Sequence, residues 1–155
     1  MIPSTVEAYL RRQHSGFSHH VHPVAMTAQE RAAADHVTGR RMAKPVIVRL
    51  GGKLIIAVVR ATDRVNLAAL EEATGDRAEL AGEREFAARF EPCELGAEPP
   101  LALFGMPIFA DERLERVPTL VMPAGTHQDA VELDTNAWMR AEHAQPVVNL
   151  GVPAS

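Results

Sequence analysis

Two apolar runs separated by a pair of glycines constrain the fold of this chain more than any other feature. Residues 45–50 and 54–60 are rich in Val, Ile and Leu, and Gly51-Gly52 lies between them. β-Branched residues favour strands, and glycine accepts the backbone angles that tight hairpin turns require. The pattern predicts an antiparallel hairpin, and its apolar faces must be buried against other elements.

The segments around this hairpin predict a mixture of helices and further strands. Helices are expected after Ser4, Thr27 and Asn66, after Asp134 or Thr135, and in part of 79–90, with Ser4/Glu7 and Thr27/Glu30 forming capping boxes. Further strands are expected at 17–22, 108–110, 119–122 and 130–133. The prolines and glycines of 92–107 predict a shaped loop, and the tail beyond Leu150 is expected to be loose. Together these elements predict an α+β (mixed α/β) domain with a mixed sheet.

Length and composition limit the class of protein. The chain has 155 residues, of which 46% are hydrophobic and 23% charged, so one globular domain over 1–155 is expected. Cys93 is the only cysteine, which excludes an intrachain disulfide. We recognise no signal peptide and no apolar run near the ~20 residues that span a bilayer. We therefore expect a cytoplasmic protein with no membrane partner, while its oligomeric state is not readable.

Charge is distributed unevenly along the chain. Residues 1–66 hold ten Lys/Arg and four Asp/Glu, whereas residues 67–155 hold six and sixteen. A basic surface that meets a phosphate backbone is compatible with this asymmetry, although halves of a sequence need not be halves of a structure. Only Lys44 and Lys53 among the sixteen cationic residues are lysines. Lys44 lies between apolar residues, which makes it the cation to explain.

Three candidate sites follow from residue chemistry. Lys44 begins a strand, where it either contacts an anionic or carbonyl group of a ligand or extends towards solvent. The loop Gly96-Ala97-Glu98-Pro99-Pro100 either aims free amides at a ligand oxygen or is a plain proline turn. The turn Gly125-Thr126-His127 ends in a histidine that either holds a substrate group, moves a proton, or is simply exposed.

Other chemistries have weaker support. His14, His19, His20 and His22 cluster in sequence, but no second set of ligands has zinc spacing, so no metal is expected. Glu94 beside Cys93 would raise the thiol pKa, which disfavours a cysteine nucleophile. No GxSxG, Walker A or GxGxxG pattern is present, which argues against the common hydrolase, nucleotidase and dinucleotide-binding classes.

The order of these segments resembles the YbaK/prolyl-tRNA synthetase-associated domain family. The resemblance rests on Thr27 to Glu30 with the following alanines, on Met42-Ala43-Lys44 before a hairpin, and on Cys93 to Pro100 with Gly105-Met106-Pro107 and Asp111. Ala124 to His127 fits a later turn of the same family, and the likeness covers roughly residues 5–148. It implies a mixed, partly opened β-barrel-like sheet surrounded by helices.

The resemblance also implies a function. It implies hydrolysis, in trans, of the ester between a wrongly attached small amino acid, such as alanine, and the 3′ end of a tRNA. Lys44 would be the key catalytic lysine, and substrate would contact Gly96, Ala97, Glu98, Pro99, Pro100, Gly125, Thr126, His127 and His22. No cofactor or metal is implied; the expected partner is the aminoacylated tRNA, and an aminoacyl-tRNA synthetase is a second candidate. An inactive relative that only binds tRNA ends or acylated nucleotides is the alternative, and Glu98 stands where the family loop is expected to be apolar.

Overall fold

The hairpin predicted around Gly51-Gly52 forms the centre of the fold. The computed structural model describes residues 1–22 and 39–154. Their ten strands are β1 (Ser18–Val21), β2 (Ala43–Leu50), β3 (Lys53–Arg60), β4 (Asp63–Val65), β5 (Ala78–Leu80), β6 (Ile108–Asp111), β7 (Thr119–Pro123), β8 (Asp129–Asp134), β9 (Gln145–Val147) and β10 (Gly151–Pro153). β2 and β3 pair antiparallel over their whole length. Gly51 and Gly52 have φ of 58° and 84°, angles that disfavour any residue with a Cβ.

The hairpin is extended on both sides into a mixed sheet. The order of its five strands is β5-β2-β3-β6-β9, with β5 antiparallel to β2 and with β6 and β9 added in parallel. A second sheet, β1-β8-β7, is antiparallel throughout, and Met42 joins it to the first through a parallel bridge with Val121. β4 pairs with β10 in a separate ribbon. The sheet does not close on itself, so the prediction of a mixed, partly opened sheet is confirmed.

Four α-helices flank the sheets in the described part of the chain. They are α1 (Ser4–Gln13), α2 (Leu67–Thr74), α3 (Glu83–Phe86) and α4 (Thr135–Ala141). Asp134 caps α4 by accepting a hydrogen bond from the Ala137 N–H, as its position predicts. The capping box predicted at Ser4 is wrong, because α1 starts after Pro3, and the Pro3 carbonyl accepts the Glu7 N–H.

Two apolar clusters lie on opposite faces of the hairpin. Along β2, Ala43 and Ile47 pack into a main core with α1, α4 and the loop around Leu101. Val48 and Leu50 pack into a second core with α2 and β9. Side chains of a strand alternate between the two faces of its sheet, so a strand buried on both sides is apolar along its length. This accounts for the unbroken run of buried residues 55–59 in β3.

The structure corrects the expectation for the end of the chain. The tail beyond Leu150 is not loose, because residues 151–153 form β10 and pair with β4. Asn66 precedes α2 as predicted, but its side chain donates to the Asn149 carbonyl instead of capping the helix. The helix predicted after Thr27 lies outside the described residues.

Candidate functional site

Lys44 lies one residue into β2, directly opposite Val59 of β3. Ala43 before it faces the main core, and Val46 after it packs against the second core. By strand alternation the Lys44 side chain therefore leaves the sheet on the face of the second core. Its ammonium donates a hydrogen bond to the backbone carbonyl of Asp63 in β4. Burial lowers the pKa of Lys44, and the nearby Asp63 carboxylate partly opposes this shift.

A buried ionic cluster holds the strand that carries this carbonyl. Asp63 and Asp111, which are 2% and 0% exposed, lie on either side of Arg113. Arg113 Nη2 lies 2.8 Å from Asp63 Oδ2, 2.5 Å from Asp111 Oδ2 and 2.8 Å from the Gly151 carbonyl oxygen. The Gly151 N–H donates to Asp111 Oδ2 at 3.0 Å. We name Asp63, Asp111, Arg113 and Gly151 the Arg113 clamp, because together they join β4, β6 and β10.

The clamp has the electrostatics of a satisfied ion-pair network. Burial opposes ionisation of Asp111, but hydrogen bonds from Arg113 and Gly151 outweigh burial and lower its pKa. Arg60 adds a second cation by donating to Asp63 Oδ2 at 3.0 Å. Buried carboxylates are tolerated when they are paired and fully hydrogen-bonded. Asp111 is therefore ionised at neutral pH, and the clamp holds its buried charges in compensated pairs.

The loop Gly96 to Pro100 is buried at 97–100 and exposed at Gly96. Ala97 is 0% exposed, Glu98 is 7% exposed, and Pro99 and Pro100 are buried as well. Gly96 has a φ of 86°, which glycine accepts without strain. At the end of the loop, the Pro100 carbonyl accepts a hydrogen bond from Trp138 Nε1 at 2.9 Å, which fixes the loop to α4.

The Glu98 carboxylate accepts hydrogen bonds from backbone amides of its own loop. Its Oε2 accepts the Gly96 N–H at 2.9 Å, and its own backbone N–H also hydrogen-bonds to the carboxylate. The Ala97 N–H donates to the Glu94 carbonyl at 3.0 Å. The loop therefore does not present the free amides that its glycine and prolines predict. An ester carbonyl could reach the Gly96 amide only by displacing the Glu98 side chain.

Burial also shifts the acid–base properties of two side chains near this loop. It raises the pKa of Glu98, although hydrogen bonds from the Gly96 and Glu98 amides limit the shift. It raises the pKa of the Cys93 thiol to about 12, and the Glu98 charge contributes in the same direction. A thiol with such a pKa is almost never a thiolate at neutral pH, which agrees with the expectation that Cys93 is not a nucleophile.

The turn Gly125-Thr126-His127 is attached directly to the loop. The Gly125 N–H donates to the Ala97 carbonyl at 2.9 Å, and the Gly125 carbonyl accepts the Glu94 N–H at 2.8 Å. The His127 N–H donates to Glu94 Oε1 at 2.7 Å. The predicted loop and the predicted turn therefore form one surface, although about thirty residues separate them in sequence.

The histidine segment meets the same turn from the other side. The His22 N–H donates to the Gln128 carbonyl at 2.9 Å, and His22 is 6% exposed. Nearby, His19 Nε2 lies 2.6 Å from Asp129 Oδ1, and Thr126 donates to the other oxygen of the same carboxylate. The fold therefore places His22 next to the turn that carries Thr126 and His127.

Strand pairing connects the Lys44 backbone to this surface, whereas the Lys44 side chain hydrogen-bonds elsewhere. Met42 bridges Val121, and the Arg41 carbonyl accepts the Val121 N–H, so the start of β2 runs beside β7. β7 leads into the Gly125 turn. The Lys44 ammonium itself, however, is hydrogen-bonded to Asp63, on the face away from the main core.

No sequence pattern indicated the Arg113 clamp. Asp63 and Arg60 have the i, i+3 spacing of a local ion pair, which is too common to indicate a site. Asp111 was named only as part of the family resemblance. Its partner Gly151 lies in the tail that was expected to be loose. Within residues 1–22 and 39–154, no group of three or more His, Cys, Asp or Glu side chains is placed to hold a metal ion.

Comparison with known proteins identifies the family. The profile of the aminoacyl-tRNA editing domain matches residues 22–141, which is most of the chain. The chain therefore belongs to the aminoacyl-tRNA editing domain family, and the resemblance to YbaK-type proteins is confirmed. Among curated protein sequences, comparison finds no match.

Solved structures share the fold at low sequence identity. A protein described as a trans-editing enzyme for prolyl-tRNA synthetase has a TM-score of 0.80 at 18% identity, with 97% of this chain and 98% of that chain covered. The hypothetical protein APE2540 has a TM-score of 0.82 at 20% identity, with 93% and 99% covered. A protein from Marinobacter aquaeolei VT8, assigned to signal transduction, has a TM-score of 0.72 at 16% identity, and the match covers 96% of this chain but 31% of that one. These likenesses show the fold alone.

In the described residues, no helix combines the length and apolarity needed to cross a bilayer.

Proposed function

We propose that the chain, acting as a single domain over residues 1–155, is a free-standing aminoacyl-tRNA deacylase. It hydrolyses the ester of a mischarged tRNA in trans, and the amino acid removed is small, such as alanine. Membership of the editing-domain family supports this role. One observation supports assigning this role to a particular residue. Lys44 is half-buried, is the less exposed of the chain's two lysines, and lies at the strand start where the family pattern has its lysine.

Each part of the site has a distinct role in this reaction. The Lys44 ammonium holds the aminoacyl-adenosine end by donating to a phosphate or ribose oxygen, in exchange for the Asp63 carbonyl that it contacts without substrate. The loop from Gly96 to Pro100, which is buried at 97–100, forms the wall that limits the size of the amino acid. The His127 turn, fixed to this loop, is an accessory contact. A water molecule attacks the ester carbonyl, and the tRNA hydroxyl leaves with the proton.

The alternative is a relative that binds tRNA 3′ ends or acylated nucleotides without turnover and serves a regulatory role. One observation favours it: the Glu98 carboxylate occupies the Gly96 amide, a donor that an ester carbonyl would otherwise use. A binding module retains affinity for an uncharged tRNA end, and it releases no amino acid.

The two functions are separated by a deacylation assay on a panel of correctly and wrongly charged tRNAs. Lys44→Ala is compared with Lys53→Ala, which removes the other lysine, an exposed one next to the hairpin turn. Release of one small amino acid by wild type and Lys53→Ala, but not by Lys44→Ala, supports the deacylase. Binding of tRNA with no release across the panel refutes it in favour of the binding module.

A further inference from the structure

The Arg113 clamp lies next to the functional lysine without contacting it directly. Its link to Lys44 runs through one residue, because the Asp63 side chain belongs to the clamp and the Asp63 carbonyl accepts the Lys44 ammonium. We propose that Arg113 is a positioning residue for Lys44, which acts by fixing the Asp63 carbonyl and balancing the Asp63 charge. This inference rests on the proposed function for its catalytic consequence and on the clamp geometry for everything else.

The strand that carries the carbonyl is short and depends on the clamp. β4 has three residues, and its ladder partner is β10, which also has three. Such a short two-stranded ribbon is not stable by itself. Arg113 holds both halves of the ribbon, because it donates to Asp63 Oδ2 in β4 and to the Gly151 carbonyl in β10. The position of the Asp63 carbonyl therefore depends on Arg113.

The charge of Asp63 also couples the clamp to the lysine. The Asp63 carboxylate favours the protonated form of Lys44, against the effect of burial. That carboxylate is itself shared between Arg113 and Arg60. Removing the Arg113 guanidinium leaves Asp63 less compensated, so its pull on the Lys44 proton grows. Removing the Asp63 charge has the opposite effect, because burial then acts on Lys44 with less opposition.

The planar shape of the guanidinium suits this position. Arg113 reaches its three acceptors with one planar fork, whose Nε and Nη2 both lie within 3.2 Å of Asp111 oxygens. Lysine would keep the positive charge but cannot make these parallel contacts. A Cβ on Gly151 would lie 2.6 Å from Asp111 Oδ2 and 2.8 Å from Asp63 Oδ2. The two carboxylates of the clamp therefore pack directly against the Gly151 backbone.

The presence of only two lysines makes the titration of Lys44 measurable. Reductive methylation with ¹³C-formaldehyde labels both lysine side chains and the N-terminal amine of Met1, and NMR then follows the titration of each methylated amine separately. Lys53 is the internal reference. Arg113→Gln is expected to raise the pKa of Lys44, Asp63→Asn to lower it, and Arg113→Lys to leave it close to the wild-type value while broadening the signal. Arg116→Gln, which removes an exposed arginine three residues away, is expected to change neither lysine.

Opposite shifts in Arg113→Gln and Asp63→Asn, with Lys53 unmoved, support the positioning role. The clamp is only structural if both folded variants leave the Lys44 titration unchanged, or if both shift it in the same direction. Asp63→Asn keeps the size of the side chain and the backbone carbonyl. If Arg113→Gln does not fold, a lowered Lys44 pKa in Asp63→Asn supports the coupling, and an unchanged one refutes it.

The catalytic consequence is measured separately with the substrate found in the deacylation panel. Arg113→Gln is expected to lower kcat by about 10- to 100-fold with a smaller effect on KM, since the ester whose adenosine end Lys44 holds is then misplaced for attack by water. Its pH–rate profile should move in the same direction as the Lys44 titration. If wild type does not deacylate but the opposite NMR shifts appear, the proposed function fails and the positioning role stands. If wild type is active and the shifts do not appear, only the positioning role fails.

Discussion

Gly151→Ala perturbs the Arg113 clamp without removing any of its hydrogen-bonding groups. The new Cβ would lie 2.6 Å from Asp111 Oδ2, 2.8 Å from Asp63 Oδ2 and 3.0 Å from Arg113 Nη2. Real Cβ atoms do not approach other atoms so closely, so β10 or the buried carboxylates must move. Overpacking together with partial loss of a buried ion-pair network costs about 2–4 kcal/mol. The reduced freedom of the unfolded chain offsets about 0.4–1 kcal/mol of this cost.

The expected net loss in the free energy of unfolding is about 1.5–3 kcal/mol. For a domain of this length it corresponds to a fall in Tm of roughly 3–12 °C. Differential scanning calorimetry or urea unfolding measures it, with Gly16→Ala as the control because a Cβ at Gly16 meets nothing within 4 Å. If Gly151→Ala melts within about 1 °C of Gly16→Ala, the close packing of β10 on the clamp is refuted.

Four further predictions concern the loop, the turn and the substrate. Gly125→Ala is expected to lower the free energy of unfolding by at least about 2 kcal/mol, measured by urea unfolding. The reason is that φ at Gly125 is 101° and that a Cβ there would lie 2.8 Å from the Pro3 ring. Unchanged stability would contradict this contact. Burial raises the pKa of Glu98, so the native state loses stability as pH rises through the carboxyl range. Glu98→Gln should therefore gain Tm relative to wild type at pH 7 and lose that gain near pH 4, and a gain independent of pH would refute the cause. With its pKa raised to about 12, Cys93 should react with iodoacetamide at pH 8 far more slowly in the native state than in guanidinium chloride, whereas equal rates would contradict its burial. Binding of tRNA should weaken steeply with salt, and Arg64→Gln on the exposed side of β4 should reduce the slope; an affinity that salt does not change would argue against a phosphate-contacting surface.

Sequence patterns predicted the elements whose stability is local. The hairpin at Gly51-Gly52 follows from strand-forming residues on both sides of a turn that only glycine accepts easily. Asp134 before α4 is a capping residue in a position where its side chain reaches the first turn. In each case the interactions that specify the structure join residues within a few positions of one another.

Elements that depend on distant partners could not be predicted from the sequence. Residues 151–153 have no strand pattern of their own, and β10 is held in place because Arg113 and Asp111 bind Gly151 across 38 and 40 positions. The partner of Lys44 is equally hidden, since it is a backbone carbonyl and every residue of the chain carries one.

The candidate site shows the same division. Glycine and proline predicted an irregular loop at 96–100, which the structure has. The fate of the loop amides depends on the rotamer of Glu98, which folds back on Gly96. A charged side chain in a sequence motif does not reveal whether it faces solvent, a ligand or its own backbone.

The ribbon of β4 and β10 allows the surroundings of Lys44 to open while the rest of the domain stays folded. Three-residue strands joined to the remaining structure by a few side-chain hydrogen bonds, among them those of Arg113 and Arg60, open more often than β3, which is buried on both faces. Backbone amides of Arg64 and Val152 should therefore exchange with deuterium well before those of β3, through fluctuations too small to expose the main core. We therefore expect the domain to remain folded at temperatures where the carbonyl partner of Lys44 is already released, so that the proposed activity would be lost before melting begins.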